Sequence, residues 1–152
     1  MRKLTKLLLV LAINGLVAAP LHADGGGYAE RNSRLKPVEE LIEAENYAGA
    51  ITELEKALAE EPKDADVLNL LAYSHRKSMH FDIALDYYLQ ALEIEPKHRG
   101  ANEYLGELYL QMDRLDLALE RLEVLDKDCF FGCREYDELE EAIEAYRKEN
   151  PS

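Results

Sequence analysis

Basic residues are scarce in this chain of 152 residues, in which 18 Lys and Arg oppose 31 Asp and Glu for a formal net charge of −13. Nucleic acids and anionic lipid surfaces attract proteins through clustered cations, so this composition argues against both as partners. It favours solubility and partners that present a basic face, although a well-solvated helical surface would show the same excess of acidic residues.

Sequence motifs of catalytic sites are missing. The chain has no glycine-rich phosphate loop, no nucleophile elbow and no Ser/His/Asp set at a recognisable spacing. The acidic run at 135–144 alternates with apolar residues at helical spacing, which places most of its carboxylates on a solvated face. We therefore predict that the protein is not an enzyme and uses no cofactor.

Clusters of metal ligands are missing as well. His75 and His80 are five residues apart, which would place them on different faces of one helix. Cys129 and Cys133 have no nearby histidine and do not complete a zinc site, and no calcium loop is present. The sequence predicts no metal site.

Long apolar runs are confined to the start of the chain. Three cations before residue 7 are followed by an apolar stretch at 7–19 and small residues up to Ala23. This order predicts a secretory signal peptide, residues 1–23, and a mature protein in the periplasm or outside the cell. The apolar stretch is short for a membrane span of about 20 residues, although an uncleaved anchor is the alternative. After cleavage we expect no membrane contact.

The chain does contain an internal repeat of 34 residues. Segment 57–64, ALAEEPKD, is echoed by segment 91–98, ALEIEPKH, and Ala50, Ala84 and Ala118 are separated by the same step. A period of this length indicates an array of helical repeats, and no stretch alternates with the period of two that a sheet requires. Such an array predicts a surface that holds a partner.

Large and small residues recur at fixed positions of these repeats. The pairs are Leu71-Ala72 and Leu105-Gly106 in the first helices, and the triplets are Ala50-Leu54-Ala57 and Ala84-Tyr88-Ala91 in the second helices. With this pattern the chain resembles the tetratricopeptide repeat family. In that family small residues let helix backbones approach, and large residues fill the seams between repeats.

The resemblance implies an all-α, right-handed helical solenoid of three helix pairs and a C-terminal capping helix. The repeats would cover about 31–64, 65–98 and 99–132 in a domain of 34–149, with the capping helix at about 135–148. The glycine-rich and polar stretch at 24–33 predicts a flexible leader. Pro37 is predicted in the first turn of the first helix, where its missing N–H is tolerated.

The two cysteines are predicted to pair with each other, because the predicted compartment is oxidising. Gly132 can adopt the positive φ that a small ring needs. Phe130 and Phe131 would then face the last helix pair. A redox pair is the alternative for Cys129 and Cys133, although their spacing differs from that of thiol oxidoreductases. The segment also resembles the ending of small exported bacterial repeat proteins.

The resemblance implies a concave face lined by the first helix of each repeat. The family's partner-binding positions correspond here to Asn69, Tyr73, Arg76, Glu103, Glu107 and Leu110. Family members that grip a terminal carboxylate use Lys, Asn and Arg at such positions, so the glutamates here argue against that clamp. They favour a basic or mixed peptide segment, although ordinary solvated helix positions would have the same residues.

These features together predict non-covalent recognition of a protein or peptide. We expect an exported adaptor or assembly factor that is a monomer or a weak oligomer. The alternative is a thiol-redox or metal-handling accessory protein that uses Cys129 and Cys133.

Overall fold

The computed structural model describes the backbone of residues 26–151 and the side chains of residues 34–151. Over that range the chain forms seven helices and no strand, with the bounds α1 (Gly26–Glu43), α2 (Tyr47–Glu60), α3 (Ala65–Lys77), α4 (Phe81–Ile94), α5 (Arg99–Gln111), α6 (Leu115–Asp128) and α7 (Arg134–Glu149). Each helix packs against the next, and α7 packs against both α5 and α6. The predicted all-α solenoid of helix pairs with a C-terminal helix is confirmed. The predicted signal peptide, residues 1–23, lies outside the described residues.

The turns within the helix pairs share one backbone geometry that recurs every 34 residues. Glu45, Met79 and Asp113 have φ angles of 54°, 64° and 56°, directly after α1, α3 and α5. In each turn the next backbone N–H donates to a carbonyl five residues earlier, at 2.8 to 2.9 Å. This left-handed residue closes the C-terminus of a helix. The repeat in the sequence is therefore also a repeat in the backbone.

Polar side chains close the turns between helix pairs and join neighbouring repeats. Asp64 and His98 each accept the backbone N–H three residues further on, at 3.1 Å, and so begin α3 and α5. The other ring nitrogen of His98 lies 3.0 Å from a carboxylate oxygen of Asp66. Arg99 donates to Asp128 at the end of α6, also at 3.0 Å. These contacts connect α3, α5 and α6 along one edge of the solenoid.

Small residues of the second helices lie at the centre of the core. Ala50, Ala84 and Ala118 are fully buried, and this allows the close helix contacts that the repeat pattern predicted. Leu139 of α7 is buried in the apolar cluster that includes Ala84 and Ala118 and follows Leu105 by 34 residues. Helix α7 therefore continues the repeat as a first helix that, in the part of the chain described, has no second helix.

Helix α1 differs from its prediction in where it begins and in where Pro37 lies. It begins at Gly26, so residues 26–33, which were predicted as part of a flexible leader, are helical. Pro37 lies inside the helix, and its predicted position in the first turn is wrong. Leu35 and Val38 are buried on either side of it in the cluster that α1 shares with α2 and α3. This packing holds the helix together across the residue that lacks an N–H donor.

A disulfide closes the turn between α6 and α7, as the sequence predicted. The sulfurs of Cys129 and Cys133 are bonded, and Gly132 between them has a positive φ of 84°. The predicted packing of the two phenylalanines is wrong, because Phe130 is 87% exposed and Phe131 is 96% exposed. Both rings lie outside the apolar clusters that the helices share.

Replacing both cysteines, with Cys129→Ser and Cys133→Ser, is expected to lower the free energy of unfolding by about 2 kcal/mol. The physical reason is that a short covalent ring removes conformational entropy from the unfolded chain. Urea unfolding followed by circular dichroism measures the change. A reductant should reproduce it in the natural chain and have no effect on the double variant. Identical unfolding curves for the two proteins would contradict the prediction.

None of the helices in the described range is long and apolar enough to cross a membrane.

Candidate partner-binding groove

An ion pair between buried Arg76 and half-buried Glu107 joins α3 to α5. Arg76 is only 5% exposed, and its Nη2 atom lies 2.6 Å from a carboxylate oxygen of Glu107. Burial by itself would lower the pKa of Arg76, but the Tyr88 hydroxyl and the Glu107 carboxylate raise it above its ordinary value. The guanidinium therefore stays charged, and Glu107 compensates it. Two of the predicted partner-binding residues thus hold each other in place.

Three tyrosines form a row beside this ion pair. The ring centroids of Tyr47 and Tyr73 are 6.4 Å apart, and those of Tyr73 and Tyr104 are 4.9 Å apart. The Arg76 guanidinium lies 5.4 Å from the Tyr73 centroid and 5.7 Å from that of Tyr104, which is cation–π distance. The three rings are half-buried. The row therefore presents aromatic surface that a partner can contact.

A cavity of about 520 Å³ opens between α3, α5 and α7 next to the ion pair. We call it the α3–α5–α7 groove. Its walls include Arg76, Glu107, Leu110, Ala142, Tyr146 and Glu149. A volume of this size is within the range of protein ligand sites.

The groove combines apolar walls with an excess of negative charge. Leu110 and Ala142 supply apolar surface, while Asp113 and Glu149 bring carboxylates. The Tyr146 hydroxyl donates to Asp113 at 3.2 Å and orients that carboxylate. The one cation among the lining residues, Arg76, is already paired with Glu107. The arrangement suits the apolar stem and charged end of a Lys or Arg side chain.

Two of the six predicted partner-binding residues lie between helices. Glu103 is 2% exposed on the seam between α5 and α7, and Asn69 is buried next to Gly100 at the start of α5. Burial, and after it the neighbouring Glu138 of α7, raise the pKa of Glu103 to about 8. Glu103 is therefore mostly protonated at neutral pH. Both residues help to pack the helices, whereas Tyr73, Arg76, Glu107 and Leu110 come together at the tyrosine row and the groove.

Sequence reasoning missed the contribution of α7 to the groove. Ala142, Ala145, Tyr146 and Glu149 line it, together with Asp113 from the turn after α5. These α7 positions lie on one side of a helix because they are spaced by three and four residues. That spacing was visible in the sequence, but nothing in the sequence showed that this side of α7 would face α3 and α5.

Several solved structures share the fold of this chain. The crystal structure of the type III secretion translocator chaperone SycD from Yersinia enterocolitica (alternative dimer) has a TM-score of 0.67 at 14% identity, over 80% of this chain and 94% of that chain. A chain of the CopN-Scc3 complex has a TM-score of 0.60 at 20% identity, over 88% of this chain and 82% of that chain. A tetratricopeptide repeat protein from Parabacteroides merdae has a TM-score of 0.59 at 20% identity, over 85% of this chain and 54% of that chain. These identities are low, so the likeness concerns the fold.

The sequence was also compared with protein families and with individual curated proteins. No curated protein matches it significantly. The family model of the tetratricopeptide repeat matches two overlapping stretches, residues 38–78 and 69–127, which together span more than half of the chain. The protein therefore belongs to the tetratricopeptide repeat family.

Proposed function

We propose that this protein is an exported adaptor or assembly factor that binds a segment of another protein on its concave face. The observation that carries the proposal is the α3–α5–α7 groove beside the tyrosine row. The Arg76–Glu107 ion pair holds one wall of the groove in place before a partner arrives. A preformed surface reduces the ordering cost of binding.

The partner segment is proposed to carry a Lys or Arg side chain. Its methylene groups would lie against Leu110 and Ala142, and its charged end would reach Asp113 and Glu149. The net charge of −13 would also attract a basic segment from a distance and speed its association. Neighbours in fold that are described as a chaperone and as part of a complex support a protein as the partner.

The thiol-redox or metal-handling alternative takes second place. The two sulfurs close a small loop in a turn between helices, and the described residues contain no strand–helix unit of the thiol oxidoreductase kind. The same residues contain no group of three or more side chains that could hold a metal ion. No specific observation favours this alternative.

A groove variant tests the proposed function. We expect Asp113→Asn, Ala145→Arg and Glu149→Gln together to abolish partner recovery when the mature chain is used for affinity capture from the exported fraction. The arginine places bulk and positive charge in the cavity, and the other two changes remove its carboxylates. All three positions are exposed, so the fold should be unaffected.

The matched control makes the same kinds of change on the solvated side of α7, with Asp137→Asn and Glu144→Arg, both at exposed positions. Both proteins lose two carboxylates and gain one arginine, so a general loss of negative charge would affect them equally. If the groove variant recovers the same partners as the natural chain in equal amounts, groove binding is wrong. Quantitative mass spectrometry of the captured proteins gives the comparison.

Export is tested separately on the full chain. Expression in a bacterium should yield a periplasmic protein that begins after about residue 23, as measured by the mass of the intact protein. A chain without residues 1–23 should stay in the cytoplasm with both thiols free. A full-length chain that stays uncleaved in the cytoplasm would contradict export and leave the groove proposal to its own test.

A further inference from the structure

The loop between α6 and α7 presents two adjacent aromatic side chains to solvent. We call residues 129–133 the phenylalanine loop. The rings of Phe130 and Phe131 are in edge-to-face contact, with centroids 5.0 Å apart. They are the two most exposed large apolar residues among those described. Neither ring contributes to the core of this fold.

The phenylalanine loop has the properties of a preorganised binding element. The Cys129–Cys133 bond restricts the backbone, and a restricted loop loses little conformational freedom when it is bound. Aromatic side chains with few rotatable bonds dominate the energetics of protein interfaces. A folding role would bury these rings, so their exposure is better explained by a contact with another molecule.

The charge around the loop favours one kind of partner. The flanking cations Lys127 and Arg134 are each ion-paired with carboxylates of their own helices. Asp126 and Asp137 add negative charge on either side of the loop, while Asp128 is paired with Lys97 and Arg99. The net charge of −13 opposes both a second copy of the chain and an anionic bilayer. A protein with an apolar pocket and a basic rim complements this surface.

The contact must extend beyond the two rings. Two buried aromatic side chains account for about 300 to 500 Å², whereas a stable interface covers about 800 Å² on each partner. The Asp128 ion pairs hold the preceding turn next to the loop. A partner that receives the two rings would therefore also have to cover this turn.

We infer that the phenylalanine loop is a second docking surface, on which Phe130 and Phe131 enter an apolar, basic-rimmed pocket of a partner protein. It lies at the start of α7, whereas the groove lies along the second half of that helix, which is about 24 Å long. Two separate surfaces would let one chain hold two proteins, as an adaptor does. Binding at the loop does not depend on the proposed groove function.

The partner is found by placing a photo-crosslinking amino acid at position 131 of the full chain in an exporting cell, with Leu89, an exposed apolar residue of α4, as the control position. The crosslinked protein is then purified and its affinity for the natural chain measured. We expect Phe130→Ser with Phe131→Ser to weaken binding at least tenfold. Added salt should slow association, because the rim contacts are electrostatic.

Control variants separate the loop from the rest of the molecule. Ile83→Ser with Leu89→Ser removes two exposed apolar side chains from α4 and should leave the affinity unchanged. The groove variant should also bind the loop partner normally, even if the groove proposal fails. Because both phenylalanines are exposed, the loop variant should unfold at the same temperature as the natural chain. A loss of binding would then report on the contact and not on unfolding.

Several results would overturn this inference. One is the absence of any protein crosslinked from position 131 above the level at position 89, and another is equal affinity of the natural and loop-variant chains. Flotation with vesicles of phosphatidylcholine, with or without phosphatidylglycerol, would assign the loop to a membrane if it required the two phenylalanines. Sedimentation that shows phenylalanine-dependent self-association would assign it to a second copy of the chain.

Discussion

Replacing Gly106 with valine is expected to lower the free energy of unfolding by about 3 kcal/mol, a large fraction of the stability of a small domain. A Cβ atom at this position would lie 2.6 Å from both methyl carbons of Leu139. Leu139 is fully buried in the core between α5 and α7. It has no free space into which to move, so α7 must shift away from α5.

A double-mutant cycle identifies the cause. Leu139→Ala alone should destabilise the protein by about 2 to 5 kcal/mol, because it leaves a cavity. In the Gly106→Val background the same change relieves the overlap, so the double variant should be more stable than the sum of the two single changes predicts. Urea unfolding of all four proteins gives the coupling energy.

The introduction of a valine at an exposed helix position serves as the control. Ala59→Val on α2 should change stability by less than about 0.5 kcal/mol, since it meets no packed neighbour. If Gly106→Val is as harmless as Ala59→Val, the described packing of α7 on α5 is wrong.

Stability is expected to fall as the pH rises from about 5 to 9, because the protein buries Glu103. The folded-state pKa of about 8 lies above the ordinary value of 4.5, owing first to burial and then to the Glu138 carboxyl. The folded state therefore keeps a proton that the unfolded chain releases. This contribution is fully present below pH 4.5 and is lost as the pH rises through 8. Each pKa unit corresponds to about 1.4 kcal/mol, so a change of a few kcal/mol is expected.

The Glu103→Gln variant separates the pH dependence caused by Glu103 from that caused by other titrating groups. The amide is neutral at every pH, so the variant should match the natural chain near pH 5 and become the more stable protein towards pH 9. The quantity measured is the difference in free energy of unfolding between the two proteins at each pH. Glu141→Gln, an exposed change on α7, should give a difference that is small and constant. A constant difference for Glu103→Gln as well would contradict the prediction.

Much of the fold could be read from local signals. Helices α3 and α5 begin at Ala65 and Arg99, which are separated by the 34-residue step of the sequence repeat. Caps, prolines and the period of 34 residues act over a few residues, so a sequence displays them directly. The disulfide was predictable because its two cysteines are close in the chain and have no other cysteine to pair with.

The candidate site was predictable only in part. Tyr73, Arg76, Glu107 and Leu110 lie on the first helices α3 and α5, since a repeat assigns equivalent positions to equivalent faces. Glu103 also lies on α5, but α7 covers it. A helix that packs from a distance in sequence therefore decides which of these positions can line a groove.

The sequence by itself determined that this chain is a helical repeat, where its turns lie and which small residues its helices pack upon, because these follow from spacing along the chain. Only the tertiary structure decided that Pro37 lies within a helix, that Glu103 is buried, and that Phe130 and Phe131 are exposed. Each of these depends on which surfaces meet after folding. That in turn depends on packing energies summed over several helices, which no local pattern records.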